Sequence, residues 1–124
     1  MTLARSSRIV RTIPLLIAVS LVSLPAQADY GGGTGEPNAP YLIYTAEQMN
    51  EIGTNANDWD MHFKIMADID LSVYTGTSFN IIGNSDSFRG VFDGNGKKIS
   101  NFTYTSTDTY YYIGLFGYVS GVND

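Results

Sequence analysis

Residues 90–102 read Gly-Val-Phe-Asp-Gly-Asn-Gly-Lys-Lys-Ile-Ser-Asn-Phe, and this stretch decides the predicted fold. Its opening Gly-aliphatic-Phe element returns as Gly114-Leu115-Phe116, 24 residues further along the chain. Repeats at such a period are typical of stacked architectures, in which each unit buries its apolar face only against the next. We therefore expect a stacked fold that is truncated at its C-terminus, since the second copy of the repeat is still incomplete at Asp124.

The N-terminal 28 residues have the layout of a secretory signal peptide. Three arginines precede the apolar run 13–24, and Ala26-Gln27-Ala28 forms a small-x-small cleavage site. The apolar run is shorter than the roughly 20 residues that a membrane-spanning helix needs. We predict cleavage before Asp29, a secreted or cell-surface location, and no integral membrane domain.

Composition narrows the range of partners and of chemistry. The chain carries 7 basic and 12 acidic residues, and removal of 1–28 takes three of the basic ones with it. So acidic a chain repels phosphate backbones, which argues against nucleic acid as a partner. The chain has no cysteine and one histidine, His62, for which we expect a structural or solvated role. Zinc is rarely held by one histidine with carboxylates alone, so we expect no cofactor and no catalytic set in this segment.

The mature chain divides into a Gly/Pro-rich leader, 29–40, and a domain, 41–124. Thr45 and Gln48 have the spacing of a capping box, which predicts a short helix over 45–53 with Gly53 in a left-handed C′ position. From Phe63 to Leu71 apolar residues alternate with polar ones, which predicts a strand with Phe63, Ile65, Ala67, Ile69 and Leu71 inward. Shorter strands are predicted within 79–82, 88–92, 98–104 and 111–119.

These elements predict a mostly-β fold: the start of a right-handed parallel β-helix with a short N-terminal capping helix. A small β-sandwich is the alternative. Three tracts in this order, Tyr41–Met49, Phe63–Leu71 and Phe88–Gly96, resemble the N-terminal part of exported bacterial proteins that carry GLUG motifs. Gly114-Leu115-Phe116-Gly117 is close to the core of that motif. The resemblance implies a pectate-lyase-like β-helix, further coils as partners, and a role as a surface or secreted repeat protein.

Two groups of residues are candidates for ligand contact. Asp68 and Asp70 lie two apart on the predicted polar strand face, where a pair of carboxylates could hold Ca²⁺ or simply remain solvated. Tyr110, Tyr111 and Tyr112 could contact carbohydrate, or belong to a β-face. Asp93-Gly94-Asn95-Gly96 is read as a glycine-rich turn, because Lys97 and Tyr104 occupy positions where a calcium loop requires oxygen ligands.

The sequence thus predicts a secreted or cell-surface β-helix repeat protein with a structural or adhesive role and no catalysis in this segment. Extracellular polysaccharide or a surface protein is the expected external partner. The alternative is the N-terminal part of a carbohydrate-active enzyme, a polysaccharide lyase or glycosidase, whose site lies in further coils. Such a site would combine acidic residues with a neighbouring basic group.

Overall fold

The computed structural model describes residues 28–109 and 112–121. The predicted signal peptide therefore lies outside the described residues, apart from Ala28. The elements are strands β1 to β5, one α-helix and one 3₁₀ helix, in the order β1 Tyr41–Ile43, α1 Ala46–Ile52, 3₁₀ Ala56–Asp58, β2 His62–Ile65, β3 Ile69–Asp70, β4 Val91–Asp93 and β5 Ile99–Ser100.

The strands pair only in parallel, in two separate small sheets. One sheet has the order β1-β2-β4 and the other pairs β3 with β5. Phe63 lies opposite Tyr41 on one side and Phe92 on the other, and Ile69 lies opposite Ile99. Two isolated parallel bridges, Ile82 with Phe116 and Phe88 with Val119, continue the same stacking beyond the named strands.

The predicted right-handed β-helix is wrong for the described residues. They contain two sheets of three and two strands, and neither sheet closes or curls around a common axis. The strands are only two to four residues long, and the consecutive strands β2 and β3 belong to different sheets. The alternative β-sandwich is not formed either, because sandwiches are built from antiparallel sheets and every ladder here is parallel. The mostly-β prediction remains.

The two copies of the Gly-aliphatic-Phe motif do not occupy equivalent positions in the stacked strands. Phe92 lies opposite Phe63, whereas Phe116 lies opposite Ile82. Pairing register depends on which apolar side chains share the buried face and on turn geometry. Likeness between two short motifs therefore does not fix the register.

The predicted helix is confirmed, and its N-terminus is capped as expected. Thr45 Oγ1 accepts a hydrogen bond from Gln48 N at 3.1 Å. Gln48 Oε1 in turn accepts from Tyr44 N at 2.8 Å, one residue before the cap. Met49 and Ile52 form the buried stripe of the helix.

The predicted left-handed conformation of Gly53 is wrong, since its φ and ψ are −66° and −20°. Glycine is required there for a different reason. A Cβ atom on Gly53 would overlap the carbonyl oxygen of Asn80. Beside this contact, Asn50 Oδ1 accepts a hydrogen bond from Asn80 N at 2.7 Å. The last turn of α1 is thus docked tightly on the segment around Asn80.

The alternating tract from Phe63 to Leu71 forms two strands, β2 and β3, rather than one. Residues 66–68 separate them, and Met66 N donates to Ile43 O while Asp68 Oδ1 accepts from Lys98 N. The apolar row is nevertheless inward as predicted, because all of its members are buried except Ala67, which is half-buried. The period-two pattern therefore predicted the faces correctly and the continuity wrongly.

The predicted glycine-rich turn at 93–96 is confirmed. Asn95 and Gly96 both have positive φ, 50° and 66°, and Lys97 N donates to Gly94 O at 2.9 Å. This is the geometry of a type I′ turn, for which Asn-Gly is the preferred pair. Asn95 Nδ2 also donates to Ile65 O at 3.1 Å, which ties the turn to β2.

Aromatic rings and one tryptophan join the layers of the core. Phe63 contacts Phe88 at a centroid distance of 6.0 Å, and Phe88 contacts Phe116 at 5.3 Å. The Trp59 side chain is buried, and its Nε1 donates to Ile52 O at 2.7 Å, at the end of α1. Edge and tilted ring contacts of this kind contribute about 0.5–1.5 kcal/mol each beyond the area they bury.

The two ends of the three-stranded sheet differ. On the N-terminal side, residues from the predicted leader cover the outer edge of β1: Gly31 N donates to Leu42 O, and Leu42 N donates to Gly32 O. On the other side, β4 is the last strand of the sheet. Within residues 28–109 and 112–121, no backbone hydrogen bond is made by the outer edge of β4. Among the described residues, one edge of the sheet is therefore covered and the other is uncovered.

Candidate functional site

Two grooves flank the exposed loop Asn84–Asp86. The first, which we call the tyrosine groove, has a volume of about 420 Å³. Its sides are uncharged polar and aromatic residues, and its floor is apolar; the lining comprises Thr77, Phe79, Asn80, Ile81, Asn84, Ser85, Tyr104, Thr109 and Tyr112. A smaller depression of about 170 Å³ adjoins it, shares Asn84, Ser85 and Tyr112, and adds Tyr118.

The fold holds the floor and one side of the tyrosine groove in place. Phe79 and Ile81 are buried beneath it, and the Asn80 backbone between them is held by Asn50 of α1. Tyr118 is fixed through its backbone, because its N–H donates to Gly83 O and its carbonyl accepts from Phe88 N. The Tyr118 ring lies 5.7 Å from that of Tyr112. The two tyrosines therefore stand together at the rim on a buried, hydrogen-bonded base.

The second groove, which we call the acidic groove, has a volume of about 640 Å³. Two carboxylates, Asp60 and Asp86, line it together with His62 and Arg89. Arg89 Nη2 and Asp86 Oδ2 form an exposed ion pair at 2.9 Å. The backbone N–H groups of Arg89 and Gly90 both donate to the Trp59 carbonyl, at 2.8 and 2.7 Å, which fixes the start of the Arg89 segment beside Asp60.

Sequence reasoning missed the acidic groove. The sequence favours a structural or solvated role for His62, and it places only Lys64 as a basic group beside the predicted polar strand face. The grouping arises from the parallel register, which sets His62 opposite Val91 and so brings Arg89 close to Asp60. No local spacing in the sequence signals this long-range pairing.

The calcium candidates Asp68 and Asp70 each hold backbone or side-chain groups of the protein. Asp68 Oδ1 accepts from Lys98 N, and Asp70 Oδ1 accepts from Ser72 N and from Asn101 Nδ2, all at 2.9 Å. The Asn101 bond, followed by the Ser72 bond, lowers the pKa of the Asp70 carboxyl. In the part of the chain that the structure describes, no three His, Cys, Asp or Glu residues lie together in a way that could hold a metal ion. A calcium role for this pair stays a prediction.

Of the three tyrosines that were carbohydrate candidates, Tyr110 and Tyr111 lie outside the described residues. Tyr112 is 53% exposed and lines the tyrosine groove. Carbohydrate contact at Tyr112 stays a prediction, to which the structure adds a groove and the polar neighbours Asn80 and Asn84.

A partly buried pair, Tyr30 and Asp58, does not line either groove. Tyr30 OH donates to Asp58 Oδ2 at 3.2 Å. Burial, reinforced by the Asp58 charge, raises the pKa of the Tyr30 phenol. Burial also raises the pKa of Asp58, although the hydrogen bond from Tyr30 opposes this shift. The pair joins the segment before β1 to the 3₁₀ helix.

Several aliphatic side chains are exposed, and one of them, Val91, belongs to strand β4. Val91 of β4 is 46% exposed, and Val119 is 58% exposed. Ile113 is also exposed. We call Val91, together with the unpaired side of β4, the apolar edge. Parallel sheets are rarely left uncovered, so strand β4, with its exposed Val91 and no outer partner among the described residues, is a candidate contact surface.

Two relatives share sequence with this chain. A Gly-rich membrane protein of Evansella cellulosilytica is 38% identical over 100 residues, which cover 75% of this chain and 11% of that protein. The halomucin of Haloquadratum walsbyi is 35% identical over 78 residues, which cover 57% of this chain and 1% of that protein. No family model matches the chain, and no solved structure matches it.

The chain thus corresponds to a small part of each of these longer proteins. The name of the Evansella protein refers to a membrane; in this chain, no helix among the described residues is long and apolar enough to cross a bilayer. Both names are consistent with an extracellular or surface location. Neither name concerns GLUG motifs, so that resemblance stays a prediction.

Proposed function

We propose that this chain is an exported unit of a larger surface protein, with a structural or adhesive role, and that its open sheet end packs against further parts of that protein. The observation that carries the proposal is the difference between the two ends of the sheet. Residues 31–32 cover the β1 edge, whereas the β4 edge is unpaired within the described residues.

Physical chemistry supports an edge-to-edge contact. An unpaired strand edge presents backbone N–H and C=O groups that can accept another strand. The exposed Val91 side chain would be removed from water by the same contact, and each square ångström of apolar surface buried contributes about 25 cal/mol. This chain matches only 11% and 1% of the length of the two relatives, which is consistent with a unit within a longer polypeptide.

Association of the purified protein tests the stacking role. Light scattering coupled to size exclusion should show self-association that increases with concentration, since a second copy can substitute for the natural neighbour. Val91→Lys should reduce association, because a charge on an edge strand opposes pairing. The matched control is Val73→Lys, at an exposed valine outside the apolar edge. A protein that stays monomeric, or variants that behave alike, would contradict the proposal.

Fractionation of the producing cells tests export separately. Mass spectrometry of the extracellular or surface fraction should find Asp29 as the first residue. Soluble cytoplasmic protein that retains Met1 would refute export and leave the stacking test unaffected.

The second candidate is a carbohydrate-active enzyme, and the acidic groove favours it. Glycoside cleavage commonly uses two carboxylates, and Asp60 and Asp86 line one groove together with Arg89 and His62. Release of reducing ends from a polysaccharide, lost in Asp60→Asn, would support this candidate. Activity that persists in Asp60→Asn would exclude the groove as its source.

A further inference from the structure

The chemistry of the tyrosine groove points to a specific class of ligand: we propose that it binds a neutral, hydroxyl-rich polysaccharide chain. Such a polysaccharide would be the extracellular target of the adhesive role, so this inference rests on the proposed function. Binding by the purified protein can nevertheless be measured without reference to export or stacking.

The lining of the groove contains both kinds of group that recognise sugars. Tyrosine rings offer apolar faces for the C–H surfaces of a sugar ring together with a polar hydroxyl. Tyr112 is 53% exposed and Tyr118 49% exposed, so a ligand can reach part of each side chain although the two rings contact each other. Amide side chains both donate and accept hydrogen bonds, as sugar hydroxyls do. Asn80 and Asn84 supply these amides.

The polar groups of the groove are free to bind a ligand. Among the described residues, the side chains of Thr77, Asn80 and Asn84 make no hydrogen bond to another protein group. By contrast, the backbone beneath them is fixed by the Asn50 contact and by buried Phe79. A rigid base that carries uncommitted polar groups reduces the ordering cost of binding.

Charge distinguishes a neutral ligand from an acidic one. The described residues that line the tyrosine groove are uncharged. Among those that line the adjoining depression, the charged residue is Asp86, whose carboxylate is paired with Arg89. The whole chain has a formal net charge of −5. An acidic polysaccharide would therefore meet a chain of net negative charge, with no cation among the described residues that line the tyrosine groove.

The shape of the surface indicates a polymer rather than a single sugar. The tyrosine groove and the adjoining depression share Asn84, Ser85 and Tyr112, and together they extend from Tyr104 to Tyr118. Successive sugar units could thus contact two tyrosines in turn. Several weak contacts along one chain increase the overall affinity.

Affinity electrophoresis of the purified protein in gels that contain one polysaccharide each is the test. The neutral probes are dextran, laminarin, mannan and xyloglucan, and the acidic probes are alginate and polygalacturonate. We expect at least one neutral polymer to retard the protein and neither acidic polymer to do so. Tyr112→Ala should weaken binding by about tenfold, the equivalent of one aromatic contact. Asn84→Ala should also weaken it.

The matched control is Tyr44→Ala, because Tyr44 is similarly exposed at 43% and lies outside the groove. It should bind as the unmodified protein does. Trp59 fluorescence confirms that each variant is folded, since Trp59 is buried away from the tyrosine groove. The proposal is overturned if no neutral polymer retards the protein, if the acidic polymers bind more tightly, or if Tyr112→Ala and Tyr44→Ala behave alike.

Discussion

Replacing Gly53 by alanine sets two physical effects against each other. The backbone of Gly53 has φ −66° and ψ −20°, a conformation that alanine adopts readily. On that ground alone the substitution stabilises the protein by about 0.4–1 kcal/mol, because alanine has fewer conformations to lose on folding. The new Cβ atom, however, would overlap the Asn80 carbonyl oxygen.

The destabilisation caused by the steric overlap should exceed the stabilisation gained from backbone entropy. Forcing an extra methyl group into a packed contact typically costs about 1–3 kcal/mol, and the obstacle here is backbone, which cannot rotate aside as a side chain can. The Asn50 hydrogen bond to Asn80 N further restricts movement of that segment. We therefore expect Gly53→Ala to lower the free energy of unfolding by about 1–2 kcal/mol, after the gain in backbone entropy is subtracted.

Urea unfolding followed by Trp59 fluorescence measures this difference. Trp59 is the only tryptophan, and its indole donates to Ile52 O, directly before Gly53. The signal therefore reports on the region that the substitution changes. The matched control is Gly94→Ala, because Gly94 has no positive φ and a methyl group added there would meet no other atom within 4 Å.

Gly94→Ala should leave stability unchanged or raise it by up to about 1 kcal/mol. If Gly53→Ala is as stable as Gly94→Ala, the close approach of α1 to the segment around Asn80 is refuted. Because Asn80 also lines the tyrosine groove, a destabilised Gly53→Ala protein should bind the neutral polysaccharide more weakly as well.

Three further outcomes follow from the contacts described above. Ile65→Ala should lower the free energy of unfolding by about 2–5 kcal/mol. Asp68→Asn should change it far less, because an amide oxygen can still accept the hydrogen bond from Lys98 N. Equal losses in urea unfolding would contradict the assignment of Ile65 to the buried face and Asp68 to the exposed face. The pKa of the Asp70 carboxyl is lowered, so its contribution to stability is present above the ordinary value of 3.8 and is lost as the pH falls through the lowered folded-state value. Asp70→Asn should therefore show a smaller loss of stability on acidification. An unchanged acid profile would argue against the hydrogen bonds to the Asp70 carboxylate. Asn95→Gly and Asn95→Ala both lose the hydrogen bond to Ile65 O, but Asn95→Ala should cost about 1–2 kcal/mol more in thermal unfolding, because residue 95 has positive φ. Similar melting temperatures for the two would count against the type I′ turn.

Local signals in the sequence predicted the local structure well. The Thr45 and Gln48 spacing identified the start of α1, since a cap depends on groups within one helical turn. The Asn95-Gly96 pair identified a turn for the same reason. Alternation from Phe63 to Leu71 identified the buried face because a side chain's direction depends only on its own strand.

Long-range arrangement was not predictable in the same way. The division of that alternating tract at 66–68 depends on contacts with Ile43 and Lys98, which are distant in sequence. Likewise, the acidic groove requires residues near 60 to meet residues near 89, and this follows from the β2-β4 register and from the hydrogen bonds of Arg89 and Gly90 to the Trp59 carbonyl. A fixed repeat period in the sequence suggested a β-helix, but the number of residues between paired strand positions is not constant.

The parallel partners are separated by unequal stretches of chain: 22 residues from Tyr41 to Phe63, 29 from Phe63 to Phe92, and 34 from Ile82 to Phe116. The connections can therefore differ in length while the ladders remain parallel, since lengthening a flexible loop costs only about 0.6 kcal/mol per doubling. Natural variants should accordingly tolerate insertions and deletions in the connections more readily than changes in the paired residues. Searches for proteins of this kind that assume a constant period would overlook them, whereas searches that align the short paired segments and ignore the spacing between them would recover them.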